Sequence, residues 1–240
     1  MKLSPLCSIV AAGVAAWGAG ASAQEEPASG EAAVSTVSEV PDNANIVQEE
    51  AADGGDSTLQ MRWRSLADGD KSDNRGAVQS FRWDAAAPMT GIGLGVSTEQ
   101  GDLDPLPGPQ AYRLDLHEVD PTTQKTASKQ RLAGFSVELT PDQLTGSEER
   151  TYLYLSFPEP VALKEGQTYA VHLRPAAEGE DGAGDLALHR VFLLRSSEED
   201  PYSAGIGNQT DASPREDGDP FGSRRYDLVF FTTAGAEEPE

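Results

Sequence analysis

The amino-acid sequence predicts an all-β protein, a single antiparallel β-sandwich of the jelly-roll or Greek-key type preceded by a disordered acidic segment. Apolar and polar residues alternate in residues 151–157 and again in 169–174, and side chains of an extended chain point to opposite faces with this period of two. Similar short runs recur through residues 57–234 between loops rich in Gly, Pro and Asp, without an amphipathic helical pattern. A domain of that length buries enough surface for a stable core without disulfides.

Residues 1–23 have the features of a secretory signal peptide. Lys2 precedes an apolar run of small residues at 9–17, and residues 21–23 read Ala-Ser-Ala, the small-x-small pattern found before a cleavage site. Because the run is too short to span a bilayer, we expect an exported protein, secreted or periplasmic, with no membrane insertion. Cys7 is the only cysteine and leaves with the signal peptide, which excludes disulfides and thiolate sites from the mature chain.

Residues 24–56 form the acidic segment. They contain nine acidic residues and no basic or aromatic one, and they are rich in Ala, Ser, Gly and Pro. This composition predicts a disordered spacer, with a binding tail as the alternative. The whole chain has 40 acidic and 18 basic residues and a net charge of −22. That charge argues against nucleic acid and anionic membranes as partners, since both require cationic patches.

Nine strands are predicted within the sandwich domain, residues 57–234, followed by a polar, disordered tail at 235–240. Their positions are 59–64, 78–83, 91–96, 112–117, 135–139, 151–157, 169–174, 186–194 and 226–232. The sixth and seventh are joined so closely, through a glycine turn at 164–166, that they are predicted to be antiparallel neighbours. Three alternate glycines at 91–95 leave one side of the third strand bare, which predicts the close approach of another segment. Residues 196–225 are predicted to be a long loop.

A row of aromatic and polar side chains is the candidate ligand site. Tyr152 and Tyr154 lie on the outward phase of their strand, beside outward residues of its expected neighbour, and Tyr202 opens the long loop. Aromatic side chains have an apolar body that stacks on sugar rings, while carboxylate and guanidinium groups bind the hydroxyls. The candidate glycan-binding residues are Tyr152, Tyr154, Tyr202, Arg113, Asp115, His172 and Arg174. The alternative is that the tyrosines pack against another segment.

The loop with Asp68, Asp70 and Asp73 is a candidate calcium site, because alternating carboxylates supply the oxygen ligands that calcium prefers. The EF-hand pattern is not met, since Ser72 and Gln79 occupy its fifth and twelfth positions. The expectation is a solvated turn, and a structural calcium ion outside the EF-hand class is the alternative.

His117, His172 and His189 are the only histidines. If their strands share a sheet, the imidazoles converge with Asp115 or Tyr154 and bind a transition metal, as a metal-dependent enzyme requires. Three histidines scattered over a polar surface are the alternative.

Templates for catalysis are missing from the sequence. It contains no G-x-S-x-G or H-E-x-x-H motif, and the G-x-G-x-G at 91–95 is not followed by a helical pattern. We therefore expect no catalytic residues.

Four segments between residues 79 and 232 read QSF, GIGLGVS, PVALKEGQTYAVHL and PYSAGIG…DLVFFTT. Together they resemble the jelly-roll-like extracellular domains of bacterial secreted proteins, including the choice-of-anchor group. The resemblance implies a non-catalytic domain at or outside the cell envelope, of a kind associated with glycan binding. The chain departs from that group because no sorting signal or anchoring helix follows Thr233.

The expected function is thus an exported, non-catalytic module that binds an extracellular polysaccharide or an envelope component. A metal-dependent enzyme is one alternative, and a structural or adhesive envelope protein without a small ligand is another.

Overall fold

The computed structural model describes residues 28–52, 58–63, 75–97, 105–120, 131–144, 150–176, 188–196, 201–211 and 226–235. The predicted signal peptide, the candidate calcium residues Asp68, Asp70 and Asp73, and all of the predicted tail except Gly235 lie outside these residues. Within them, no helix has the length and apolar character needed to cross a bilayer.

Thirteen strands account for nearly all of the regular secondary structure in the described residues, which confirms the prediction of an all-β, sandwich-like fold. The strands are β1 (Ala28–Glu31), β2 (Ala33–Val37), β3 (Ala44–Gln48), β4 (Thr58–Trp63), β5 (Arg75–Arg82), β6 (Met89–Val96), β7 (Gln110–Glu118), β8 (Ala133–Leu139), β9 (Thr151–Val161), β10 (Thr168–Pro175), β11 (His189–Leu194), β12 (Gly207–Asp211) and β13 (Phe230–Ala234). A 3-10 helix covers Pro141–Leu144. Among the described strands, the pairing of β1 with β8 is parallel and the others are antiparallel.

The strands form one hydrogen-bonded network that folds into two layers. The first layer has the order β1-β8-β7-β10-β5-β12, and the second has the order β2-β9-β6-β13-β3. Strands β4 and β11 connect β5 of the first layer to β6 of the second. Inner side chains of both layers, among them Leu114, Phe135, Leu155 and Ile92, meet in one buried apolar cluster. Because removing apolar surface from water dominates folding, this cluster is the core of the sandwich.

The outer face of the second layer is also covered. Tyr152, Val229 and Phe231 form a separate buried cluster there, against which side chains between residues 37 and 51 pack. The glycines of β6 make this possible, because a Cβ on Gly93 would collide with the Phe231 ring. The predicted close approach at the glycine side of this strand is therefore confirmed.

The acidic segment is not a disordered spacer in its described part, so that prediction is wrong for residues 28–52. β1 pairs with β8, β2 pairs with β9, and β3 pairs with β13. The exposed side chains of residues 28–52 include Glu31, Glu49 and Glu50, while Ala32 and Ile46 are buried. Composition alone missed these strands because main-chain hydrogen bonds to open sheet edges, rather than a large apolar surface, hold them in place.

The predicted hairpin of residues 151–157 and 169–174 is also wrong. β9 pairs with β2 and β6 in the second layer, whereas β10 pairs with β5 and β7 in the first. Residues 162–167 therefore cross between the layers. The turn glycine itself is confirmed, since Gly166 has a φ of 78° and its N–H donates to the Trp83 carbonyl at 2.7 Å.

Two boundaries near the end of the domain differ from the prediction. The predicted loop at 196–225 contains β12, which pairs with β5. The last strand begins at Phe230, because Tyr226 and Leu228 form only isolated bridges with Gly207 and Arg195.

Candidate functional site

An open cleft of about 450 Å³ lies where β3, the end of β5, the β9–β10 turn and the loop before β12 meet. Its lining residues are Asn45, Ile46, Val47, Arg82, Asp84, Glu165, Gly166, Tyr202 and Ala204. Small-molecule sites typically enclose roughly 300–1,000 Å³, so the cleft has the volume of a ligand site. Tyr202 is the predicted ligand residue that lies in it.

Tyr202 is held rigidly beside the cleft. Its main-chain N–H donates to Asp227 Oδ2 at 3.1 Å, and its hydroxyl accepts from the main-chain N–H of Arg82 at 3.2 Å. Its ring packs edge-on against Phe230, with centroids 5.4 Å apart. Asp227 is 1% exposed and also accepts from Gln79 Nε2 at 3.0 Å. Burial raises the pKa of Tyr202, so its hydroxyl stays protonated at neutral pH.

The polar groups of the cleft are available to a ligand. Arg82 and Asp84 are exposed at the end of β5, and Glu165 is exposed on the turn between β9 and β10. In the described part of the chain none of these three side chains has an ion-pair partner. Asn45 Nδ2 is covered by protein and has no hydrogen-bond partner among the described residues. The cleft thus combines an aromatic side chain with donors and acceptors that have no partner in the described part of the chain.

Tyr152 and Tyr154 lie elsewhere, on the outer face of the second layer. Tyr152 is 1% exposed, packs against Phe231 at 5.1 Å, and donates its hydroxyl to Glu49 Oε1 at 2.9 Å. Tyr154 is half-buried against the same ring at 5.7 Å, and its hydroxyl shares a hydrogen bond of 3.1 Å with Thr233 Oγ1. This is the alternative noted above, in which the tyrosines pack against another segment.

Arg113, Asp115, His172 and Arg174 occupy the outer face of the first layer, on β7 and β10. Asp115 Oδ2 accepts from Arg174 Nε at 3.2 Å and Nη2 at 2.9 Å, and Oδ1 accepts from Arg131 Nη1 at 2.9 Å. Burial opposes ionisation of Asp115, but Arg174 and Arg131 outweigh burial, so the carboxyl pKa lies below its ordinary value. The four predicted residues therefore lie together, but they are buried and separate from the tyrosines.

The three histidines do not converge. His172 lies opposite Asp115, and His117 is on the same face two residues further along β7. His189 is 1% exposed, on β11, and its Nε2 lies 2.6 Å from the Tyr112 hydroxyl. Burial lowers the pKa of His117, which favours the neutral imidazole. Across the described residues, no three His, Cys, Asp or Glu side chains are arranged to hold a metal ion.

The sequence analysis missed the four other polar residues of the cleft, which are Asn45, Arg82, Asp84 and Glu165. A weak signal existed for Arg82 and Asp84, which alternate with the buried Trp83 in a period-two pattern. No such signal joins them to Glu165 or Asn45, because the cleft forms only when the turn reaches the end of β5 and β3 pairs with β13.

A comparison with protein-family models finds no match for this chain. A comparison with curated proteins likewise finds none.

Proposed function

We propose that the protein is an exported, non-catalytic binding module that holds part of an extracellular glycan or surface polymer in the cleft beside Tyr202. The observation that carries the proposal is the position of Tyr202 in a cleft of about 450 Å³, together with charged side chains that have no ion-pair partner among the described residues. The predicted signal peptide and the resemblance to extracellular sandwich domains support export and an envelope location.

The chemistry of the cleft suits a polyhydroxylated ligand. Hydroxyl groups both donate and accept hydrogen bonds, and the cleft offers acceptors from Asp84 and Glu165 and donors from Arg82. Tyr202 adds an apolar ring with a polar tip, a combination that suits half-wet binding sites. Its hydrogen bonds and its contact with Phe230 fix the ring before a ligand binds, which reduces the entropy lost on binding.

Retention of the full chain on immobilised polysaccharides of different composition, with and without calcium, tests the proposal. We expect saturable retention on at least one polysaccharide. Tyr202→Ala should weaken the affinity for that polysaccharide by at least about tenfold, equivalent to about 1.4 kcal/mol of binding free energy, because the aromatic stacking surface is removed. Tyr154→Phe is the matched control, since that hydroxyl lies outside the cleft and bonds Thr233.

Two outcomes would contradict the proposal. Failure of the chain to be retained on any polysaccharide would leave an adhesive or structural envelope protein as the better account. Equal retention of Tyr202→Ala and the parent chain would show that the glycan binds outside the cleft.

A further inference from the structure

The charged side chains of the cleft beside Tyr202 are unequal in sign. Asp84 and Glu165 contribute two carboxylates, and Arg82 contributes one guanidinium group. All three residues are exposed, and none has an ion-pair partner among the described residues. The cleft therefore has an excess of negative charge, in a chain whose net charge is −22. Because the charges of the whole protein add to the potential inside a cleft, charge is a property by which this cleft can distinguish ligands.

Main-chain hydrogen bonds of the buried Trp83 bring the two carboxylates to one end of the cleft. The Gly166 N–H donates to the Trp83 carbonyl at 2.7 Å, and the Trp83 N–H donates to the Gln167 carbonyl at 2.9 Å. Asp84 directly follows Trp83 in the chain. Glu165 directly precedes Gly166. Standard backbone dimensions then place the Cα atoms of Asp84 and Glu165 no more than about 8 Å apart.

Arg82 does not neutralise this pair of carboxylates. Its guanidinium group lies beside the turn, since Nη2 is 3.6 Å from a Cβ built on Gly166. Even so, no ion pair joins it to Glu165 or Asp84. Two carboxylates that line the same cleft repel each other, and a cationic group of a ligand placed between them relieves that repulsion. A carboxylate or sulfate group of a ligand would increase it.

We propose that Asp84 and Glu165 determine the charge class of the glycan, so that the cleft prefers sugars with protonated amines to neutral sugars and rejects sugars with carboxylate or sulfate groups. The two carboxylates accept charge-assisted hydrogen bonds from the amine, while Tyr202 supplies the aromatic surface for the sugar ring. This inference rests on the proposed function, because it concerns the same cleft. It adds the class of sugar and two specificity-determining residues.

Isothermal titration of the full chain with short oligosaccharides of equal length tests the inference. The probes are oligomers of glucosamine, N-acetylglucosamine and galacturonic acid, and the first two share one backbone and differ in the charge on nitrogen. A weakly acidic buffer keeps the amines protonated and the carboxylates ionised, and a chelator removes divalent metals. We expect glucosamine oligomers to bind at least about fivefold more tightly than N-acetylglucosamine oligomers, as two exposed charge pairs predict. Galacturonic acid oligomers should show no saturable binding.

A pair of double variants separates the cleft carboxylates from the charge of the whole chain. Asp84→Asn with Glu165→Gln should lower the affinity for glucosamine oligomers to that for N-acetylglucosamine oligomers. Glu138→Gln with Asp142→Asn is the matched control, because it removes two negative charges at exposed positions outside the cleft. The control should keep the preference for the amine.

The outcomes distinguish this inference from the proposed function. An equal loss of preference in both double variants would assign the preference to the net charge of the chain and would overturn the inference. Retention of the chain on a neutral or acidic polysaccharide, without tighter binding of glucosamine oligomers, would overturn the inference and leave the proposed function standing. Failure of the chain to be retained on any polysaccharide would remove the proposed function and this inference with it.

Discussion

The glycine stripe of β6 supports a quantitative prediction about how the second layer is packed. In Gly93→Ala, the new methyl group would overlap the Phe231 ring. Phe231 is 0% exposed and lies between Tyr152 and Tyr154, at 5.1 and 5.7 Å, so its ring has no space into which to rotate. Overpacking of a close-packed site costs about 1–3 kcal/mol. Restriction of the unfolded chain by alanine offsets about 0.4–1 kcal/mol of that cost.

We therefore expect Gly93→Ala to lower the free energy of unfolding by about 1–2 kcal/mol, measured by urea denaturation followed by circular dichroism. Gly108→Ala is the matched control, because a Cβ there has no atom within 4 Å, and it should leave stability unchanged or slightly raised. Phe231→Leu should lower the free energy of unfolding clearly less in the Gly93→Ala background than in the parent, because the added methyl group and the Phe231 ring compete for the same space. Unchanged stability of Gly93→Ala, or strictly additive effects in the double variant, would refute this account of the packing.

Three further variants test the polar interior. Asp115→Asn should lower the free energy of unfolding by about 3–5 kcal/mol near neutral pH, because it breaks the buried ion pair with Arg174. Since the folded-state pKa of Asp115 lies below its ordinary 3.8, the stability it contributes is present above that pH and is lost as pH falls through the folded-state value. The parent and variant curves of stability against pH should therefore converge at strongly acidic pH, and a constant gap would argue against the ion pair. Tyr112→Phe should cost about 1–2 kcal/mol in urea denaturation, because it leaves His189 without its buried hydroxyl partner at 2.6 Å; an unchanged midpoint would contradict this. Asp227→Asn turns an amide N–H₂ group toward one of the two donors that Asp227 now accepts from, Tyr202 N–H or Gln79 Nε2, so it should lower the free energy of unfolding by about 1–3 kcal/mol. It should also weaken polysaccharide retention, because Tyr202 is held less firmly. Retention equal to that of the parent would show that the cleft tolerates a mobile ring.

The amino-acid sequence by itself determined where most strands of the sandwich lie. Period-two alternation identified the strands around Tyr152 and His172, because the pleat makes side-chain direction a local property of the chain. The bare side of β6 also followed from the sequence, since only glycine leaves room for another side chain to lie directly on the backbone.

Only the tertiary structure decided which strands are neighbours and what covers their outer faces. Alternation shows that a strand has two different faces, but it does not show that Asp115 and Arg174 are as buried as the core side chains. Residues 28–52 form strands because sheet edges far along the chain accept their main-chain hydrogen bonds, a property that local composition does not record. The cleft beside Tyr202 depends in the same way on long-range pairing, since its walls come from segments more than a hundred residues apart in the chain.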